Sequence, residues 1–286
     1  MKKTLLLLIL IIFIAMPAFA SCNYVSLCTP SAYNLSSKKW QIISMRLGGT
    51  LSSEKIAEAR VKEELKKITK QKFDVSVKSY SLQDLLRGRF KSIKISGKNL
   101  NINGVYLTSL ELKTLCDFNY VRFDKTPIQF KENMIVGFSA VISDEDLMKT
   151  MHSSGYLNKL NCVNVHGCGI TFFKLSGAGV DLENNKLHFK IKVTSQLLLE
   201  KPLDVDMSTD LNAKNGRIVL TKIDLKNVVK GVDLSKVANQ LNSFNPLTFS
   251  LEVLENKNTK MCINHVEIVG NKIMINGNIF IPKTES

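Results

Sequence analysis

The sequence predicts an α+β protein: a long, strongly curved antiparallel sheet wrapped around a few amphipathic helices, with room for an elongated apolar groove. Three observations predict it. Apolar and polar residues alternate with period two through most of the chain beyond Phe73. The alternation is one-sided, so a long apolar face must be covered by helices, by another sheet or by ligand. Helical periodicity, by contrast, occurs in only three places, too few to cover so many strands. A plain sandwich with a closed core is the alternative that fits the same pattern.

The chain begins with Lys2 and Lys3, an unbroken apolar run from Leu5 to Met16, a breaking Pro17 and then Ala18-Phe19-Ala20. That is the layout of a secretory signal peptide (residues 1–20), with cleavage expected after Ala20. The run falls short of the ~20 residues a membrane-spanning helix needs. Phe19-Ala20-Ser21-Cys22 also approximates a lipobox, although leucine usually stands where Phe19 does, and Cys22 is therefore a candidate for lipidation. Either route carries the protein out of the cytoplasm, to the periplasm or cell envelope. Residues 21–49 have little periodicity and read as a leader or tether. No Pro/Gly/Ser linker divides the remainder, so residues 50–286 read as a single domain.

The elements follow in order. Ser53 is placed to cap a helix from Glu54 to Gln71, with Ala57, Val61, Leu65 and Ile68 on one face. Glu58–Lys62 and Glu63–Lys67 are set for i, i+4 pairing on the other face. Phe73, Val75 and Val77 then alternate with polar residues. Ser81 to Leu86 reads as a short helical turn ended by Gly88, followed by strands over Phe90 to Ile95, Asn101 to Leu115, Tyr120 to Phe130 and Met134 to Ile142. Ser143-Asp144-Glu145-Asp146 is a capping signature that opens a second helix through Met151. Leu187, Phe189, Ile191 and Val193 alternate with polar residues, and Asn215-Gly216 marks a hairpin between Ala213 and Arg217. Asp233 is placed to cap a third helix bearing Leu234, Val237, Leu241 and Phe244. Strands over Leu247 to Leu254, Met261 to Val269 and Lys272 to Ile281 close the chain.

The formal net charge is +14, and loss of Lys2 and Lys3 leaves the balance strongly basic. Outside the cytoplasm that charge favours anionic partners, lipid headgroups and membrane surfaces foremost, and disfavours nucleic acid. A solvated basic surface explains the same lysines. Of the six cysteines, Cys162 and Cys168 flank a short turn that a disulfide could close. Cys22 could pair with Cys28 if it is not lipidated, while Cys116 and Cys262 suit buried thiols or a long-range bridge. Sequence alone does not assign the pairing.

Catalytic signatures are missing: no Gly-x-Ser-x-Gly, no phosphate-binding glycine loop and no His-Glu-x-x-His. Gly177-Ala178-Gly179 reads as a bend between strands. His152, Cys162, His166 and Cys168 are ligand-type residues, but their spacing fits no zinc pattern and their compartment favours oxidation, so no metal and no cofactor are expected. His188 and His265 fall on polar strand faces. The sequence gives no reason to expect an enzyme.

From Ala57 onward the chain resembles the LmeA-like family of exported bacterial phospholipid-binding proteins. The resemblance is carried by Phe73 to Lys78 after the first helix and by Leu85 to Ile95, with its leucine pair, Gly88 and alternating strand. Gly137 to Leu147, Asn215 to Leu220 and Gly270 to Gly277 add to it. The six cysteines and the leader are outside the family pattern. The resemblance implies a fold like that of tubular lipid-binding proteins and a role in holding or carrying phospholipid. Under it, Leu85, Leu86, Phe90, Ile93 and Ile95 are the candidates for acyl-chain contact, and Arg87, Arg89 and Lys91 for the phosphate. Ordinary core and solvated charge account for the same residues. An envelope adaptor or lipoprotein that binds protein or polymer is the other reading. A hydrolase would need a nucleophile or carboxylate pair that the sequence does not display.

Overall fold

The computed structural model describes residues 24–28, 35–46, 48–123, 125, 128–158, 174–194, 203–226, 245–248, 250 and 259–284. Its strands are β1 (Asp74–Lys78), β2 (Arg89–Phe90), β3 (Ser92–Ile102), β4 (Val105–Thr114), β5 (Asn119–Arg122), β6 (Gln129–Phe130), β7 (Met134–Ser143), β8 (Lys174–Glu183), β9 (Lys186–Thr194), β10 (Leu203–Lys214), β11 (Arg217–Lys226), β12 (Lys260–Val269) and β13 (Lys272–Ile281). They form a six-stranded sheet in the order β1-β3-β4-β7-β13-β12, a four-stranded sheet β11-β10-β9-β8 and a small sheet β2-β5-β6. Every pairing is antiparallel. The predicted α+β architecture holds, with the sheet divided into three and not closed into a barrel.

One face of the six-stranded sheet stays apolar because the strands change parity together. Asn99 takes a left-handed φ of 51° opposite Thr108, so the buried series passes from Ile95 and Gly97 to Leu100 and Ile102 on β3. On β4 the matching series passes from Leu112 and Leu110 to Leu107 and Val105. A shift between Ile263 and His265 does the same on β12, moving burial from Ile263 to Val266. Such irregularities bend and twist a strand, and here they curl the sheet without breaking its inner face. Asn103 and Gly104, both at positive φ, turn β3 into β4 where one long strand from Asn101 to Leu115 was expected.

Helix α2 (Gly49–Thr69) starts earlier than the sequence suggested. Gly48, with a φ of 69°, is its N-cap; Ser53 lies inside the helix and donates its hydroxyl to the Thr50 carbonyl. Ala57, Val61 and Leu65 are half-buried against the sheet, whereas Ile68 is exposed. The helix lies along β1, the outermost strand, and its carboxylates take the place of a further strand. Glu54 Oε1 accepts from the Ser79 N–H at 2.7 Å and from the Ser79 hydroxyl at 2.8 Å, and Glu58 Oε1 accepts from the Val77 N–H at 2.9 Å. Glu58 therefore serves the strand edge, and Lys62 turns to Asp74, while the expected Glu63–Lys67 pair forms at 3.0 Å. The opposite edge is covered too: the Ile263 N–H on β12 donates to the Gly216 carbonyl at the tip of the β10–β11 hairpin.

Helix α4 (Asp144–Met151) has the expected capping box: the Asp146 N–H donates to the Ser143 hydroxyl, and the Ser143 N–H to the Asp146 carboxylate. It joins the two large sheets. Thr108 hydrogen-bonds to Asp146, the Tyr106 N–H to the Thr150 hydroxyl and the Val180 N–H to the Met148 sulfur. Leu147 beneath it is fully buried among core residues that include Leu187, Met207 and Ile273.

The segment before the domain is fastened to it. A 3₁₀ turn (Tyr24–Leu27) leads to Cys28, which is disulfide-bonded to Cys116 across a sequence separation of 88. Of the pairings that the sequence left open, this bridge excludes Cys22–Cys28 and Cys116–Cys262 and makes Cys116 one end of a long-range link; Cys262 is also disulfide-bonded. Ser36 donates its N–H and hydroxyl to Asp84, which lies fully buried at the start of α3 (Leu82–Leu86). Helix α1 (Lys38–Arg46) follows, an element that the sequence reading left as tether.

Other expectations also change. Pro246 to Thr248 and Ser250 are helical, where a strand over Leu247 to Leu254 was expected. The Leu247 N–H donates to the Asn245 side chain and the Ser250 hydroxyl to the Pro246 carbonyl, a capped helix start. Gly177 lies within β8 at a register shift between Ser176 and Ala178, not in a bend between strands. His188 is half-buried, not solvated, and its Nε2 has no hydrogen-bond partner among the described residues. The Cys162–Cys168 pair and the helix expected after Asp233 lie outside the described residues.

Glu54→Ala removes both hydrogen bonds to Ser79 and is expected to lower unfolding free energy by about 1–3 kcal/mol in urea titration, while Glu63→Ala leaves it almost unmoved. Replacing Cys28 and Cys116 together by serine is expected to cost about 2–4 kcal/mol by the same measurement.

Candidate functional site

The curled face of the six-stranded sheet is too wide for α2 alone, and an apolar cavity of about 220 Å³ remains beneath the helix. Its floor comes from alternate residues of four neighbouring strands: Ile95 and Ile102, Leu107, Leu110 and Leu112, Phe138, Ala140 and Ile142, and Ile275 and Ile279. Leu65, Thr69 and Phe73 close it from the α2 side, and Leu247, Ser250 and Met261 from the other.

Two glycines shape this floor. A Cβ at Gly277 would lie 2.3 Å from the Cys262 carbonyl oxygen and 2.7 Å from the Phe138 ring; one at Gly97 would lie 2.8 Å from Leu100 and 2.9 Å from Phe73. Glycine at both positions lets an aromatic ring come down onto the strand backbone.

The cavity has almost no polar chemistry. Only Thr69 and Ser250 bring side-chain oxygens to it. The Thr69 hydroxyl donates to the Leu65 carbonyl at 2.7 Å, and the Ser250 hydroxyl to the Pro246 carbonyl at 2.8 Å. Among the described residues that line it, none carries a charged side chain. Among the described residues no group of three or more His, Cys, Asp or Glu gathers into a metal site. A largely hydrocarbon-lined space of this kind accepts apolar chains. Lys66, Lys70 and Lys72 are exposed and are the sequence neighbours of the lining residues Leu65, Thr69 and Phe73.

The residues singled out from the sequence disperse. Ile95 is in the cavity wall. Ile93 pairs with Val77 beside α2. Phe90 is fully buried in the small sheet, its ring 6.4 Å from that of Phe123. Arg89 stacks over Tyr120 at 5.1 Å, and the Lys91 ammonium sits 5.3 Å from the Tyr80 ring centre. Leu85 is half-buried, Arg87 exposed and Leu86 78% exposed. The main lining residues, Leu107 to Leu112, Phe138 to Ile142 and Ile275, were visible in the sequence only as the inward set of alternating strands.

An open antiparallel sheet that keeps an apolar cavity beneath a helix is an architecture suited to holding an apolar ligand. The chain belongs to the LmeA-like phospholipid-binding family, whose model matches residues 52–278. Lipid binding is what that membership brings to this fold. No curated protein and no solved structure matches the chain.

Gly277→Ala is expected to destabilise the protein by about 1–3 kcal/mol in thermal or urea unfolding, since its methyl group meets backbone on one side and the Phe138 ring on the other.

Proposed function

We propose that this is an exported, non-enzymatic phospholipid-binding protein of the bacterial cell envelope, which holds lipid by its acyl portion in the cavity under α2. The observation that carries the reading is the cavity wall: hydrocarbon throughout, with its two hydroxyls already bonded inside their own helices. Such a wall has no partner for a phosphate, so the headgroup stays outside it. There Lys66, Lys70 and Lys72, the sequence neighbours of lining residues, supply positive charge, which favours an anionic lipid. At about 220 Å³ the space is below the ~300–1,000 Å³ usual for a whole drug-sized ligand, and it suits part of a chain rather than a complete lipid. The phospholipid-binding family supports binding over catalysis, and the signal layout from Lys2 to Ala20 supports work outside the cytoplasm.

Native mass spectrometry of protein purified from its own host's envelope fraction tests this reading. A discrete phospholipid adduct is expected, and it should be lost in Ala140→Phe and in Leu65→Asp, which fill the cavity and polarise its lid. Folded protein without an adduct, taking up no lipid from anionic vesicles, would leave the adaptor reading in its place. Intact mass of the same preparation is expected to show a chain that starts at Ser21; a diacylglyceryl-modified start at Cys22 would instead show the lipoprotein route.

A further inference from the structure

Helix α1 is built inside out. Its polar residues Gln41 and Ser44, three apart and so on one face, are its half-buried ones: the Gln41 amide donates to the Ser36 carbonyl just ahead of the helix at 2.8 Å, and the Ser44 hydroxyl accepts from the Leu82 N–H at 3.2 Å. Its apolar residues point away. Trp40 is 62% exposed, Ile42 51%, Ile43 42% and Met45 60%, and no residue of the helix is buried. Leu51, at the start of α2, and Leu82, on α3 beside Ser44, are also exposed. A helix resting on a protein in water carries its charges outward and its apolar stripe inward. The reverse arrangement calls for a partner that accepts hydrocarbon.

The charges indicate which partner. Lys38, Lys39 and Arg46 bracket the apolar residues, and α1 contains no acidic residue. The nearest carboxylates are turned inward, Glu54 onto Ser79 and Asp84 onto Ser36 and Ser81. Long basic side chains around a tryptophan and short aliphatic residues suit the boundary between anionic headgroups and acyl chains, where amphipathic rings settle and cations reach the phosphates. We infer that α1, with Leu51 and Leu82, is a membrane-docking surface for an anionic phospholipid bilayer, distinct from the cavity. The inference takes its class of partner from the phospholipid reading above but uses none of the cavity residues. Leu65 and Thr69 lie near the far end of α2, roughly 21–27 Å from Leu51 at the helical rise per residue.

Trp40 is the only tryptophan in the chain, so its fluorescence reports on this surface alone. The purified full-length mature protein would be mixed with vesicles of phosphatidylglycerol and phosphatidylcholine, or of phosphatidylcholine only. Expected are a blue-shifted Trp40 emission, quenching by brominated acyl chains and partition about tenfold or more stronger to the anionic vesicles, weakening as salt is raised. Ile43→Glu with Met45→Glu should abolish both shift and binding while native mass spectra retain the lipid adduct; nothing in α1 is buried, so the fold does not depend on these side chains. Lys38→Glu with Lys39→Glu should abolish the preference for anionic lipid. Ala140→Phe should lose the adduct and still dock, which separates failure of the docking surface from failure of the cavity. Emission unchanged by both vesicle types would overturn the inference. So would vesicle binding that survives Ile43→Glu/Met45→Glu. A Trp40 already shielded from acrylamide in a vesicle-free dimer would do the same, giving the surface to a second copy.

Discussion

Two glutamate side chains on one helix decide how this protein is assembled. An open sheet leaves its outer strand with unpaired N–H groups, and Glu54 and Glu58 accept those of Ser79 and Val77. Hydrogen bonds from amides to carboxylates are both directional and strong, so they fix the lateral position of α2 and its rotation about its own axis. The half-buried stripe of Ala57, Val61 and Leu65 is thereby set over the sheet. The roof of the cavity, the packing of α3 against the helix start and the seat of α1 all follow from that placement.

The cavity is a consequence of curvature that one helix cannot follow. Parity changes at Asn99 and between Ile263 and His265 keep hydrocarbon facing inward while the strands bend. A straight helix laid on a bent surface touches it along a line and leaves space beside that line. Natural cores usually fill such gaps with larger side chains. Here Gly97, Gly277 and Ala140 occupy positions on or beside the inner face where larger residues would reduce the space, and the gap persists.

The sequence was most legible where structure is local. The capping box at Ser143, the Asn215-Gly216 hairpin and the last two strands each depend on a few adjacent residues, and each formed as read. Asn103-Gly104 carried the same hairpin signal, but the apolar pattern running through it disguised the turn. Ser37, whose hydroxyl accepts from the Trp40 N–H, and Asn245 with Pro246 are helix-start signals of the same short range that went unread. Helix α1 escaped notice because its apolar residues do not face the core, which is the pattern a search for buried stripes relies on. The cavity was hidden for a different reason. Its wall draws single residues from strands far apart in the chain, and only the pairing of β3, β4, β7 and β13 brings them together. The compact stretch from Leu85 to Ile95 looked like a site because it was contiguous; in the fold it is divided between two sheets.

The disulfide between Cys28 and Cys116 also has a mechanical meaning. It joins the N-terminal segment to the loop between β4 and β5, ahead of Ser36 and α1 in the chain. Tension applied at Cys28 has a direct covalent path into the fold at Cys116 that does not run through residues 35–46. The bonds from Ser36 to Asp84 and from Leu82 to Ser44 are therefore not the only attachment of the N-terminal segment to the fold.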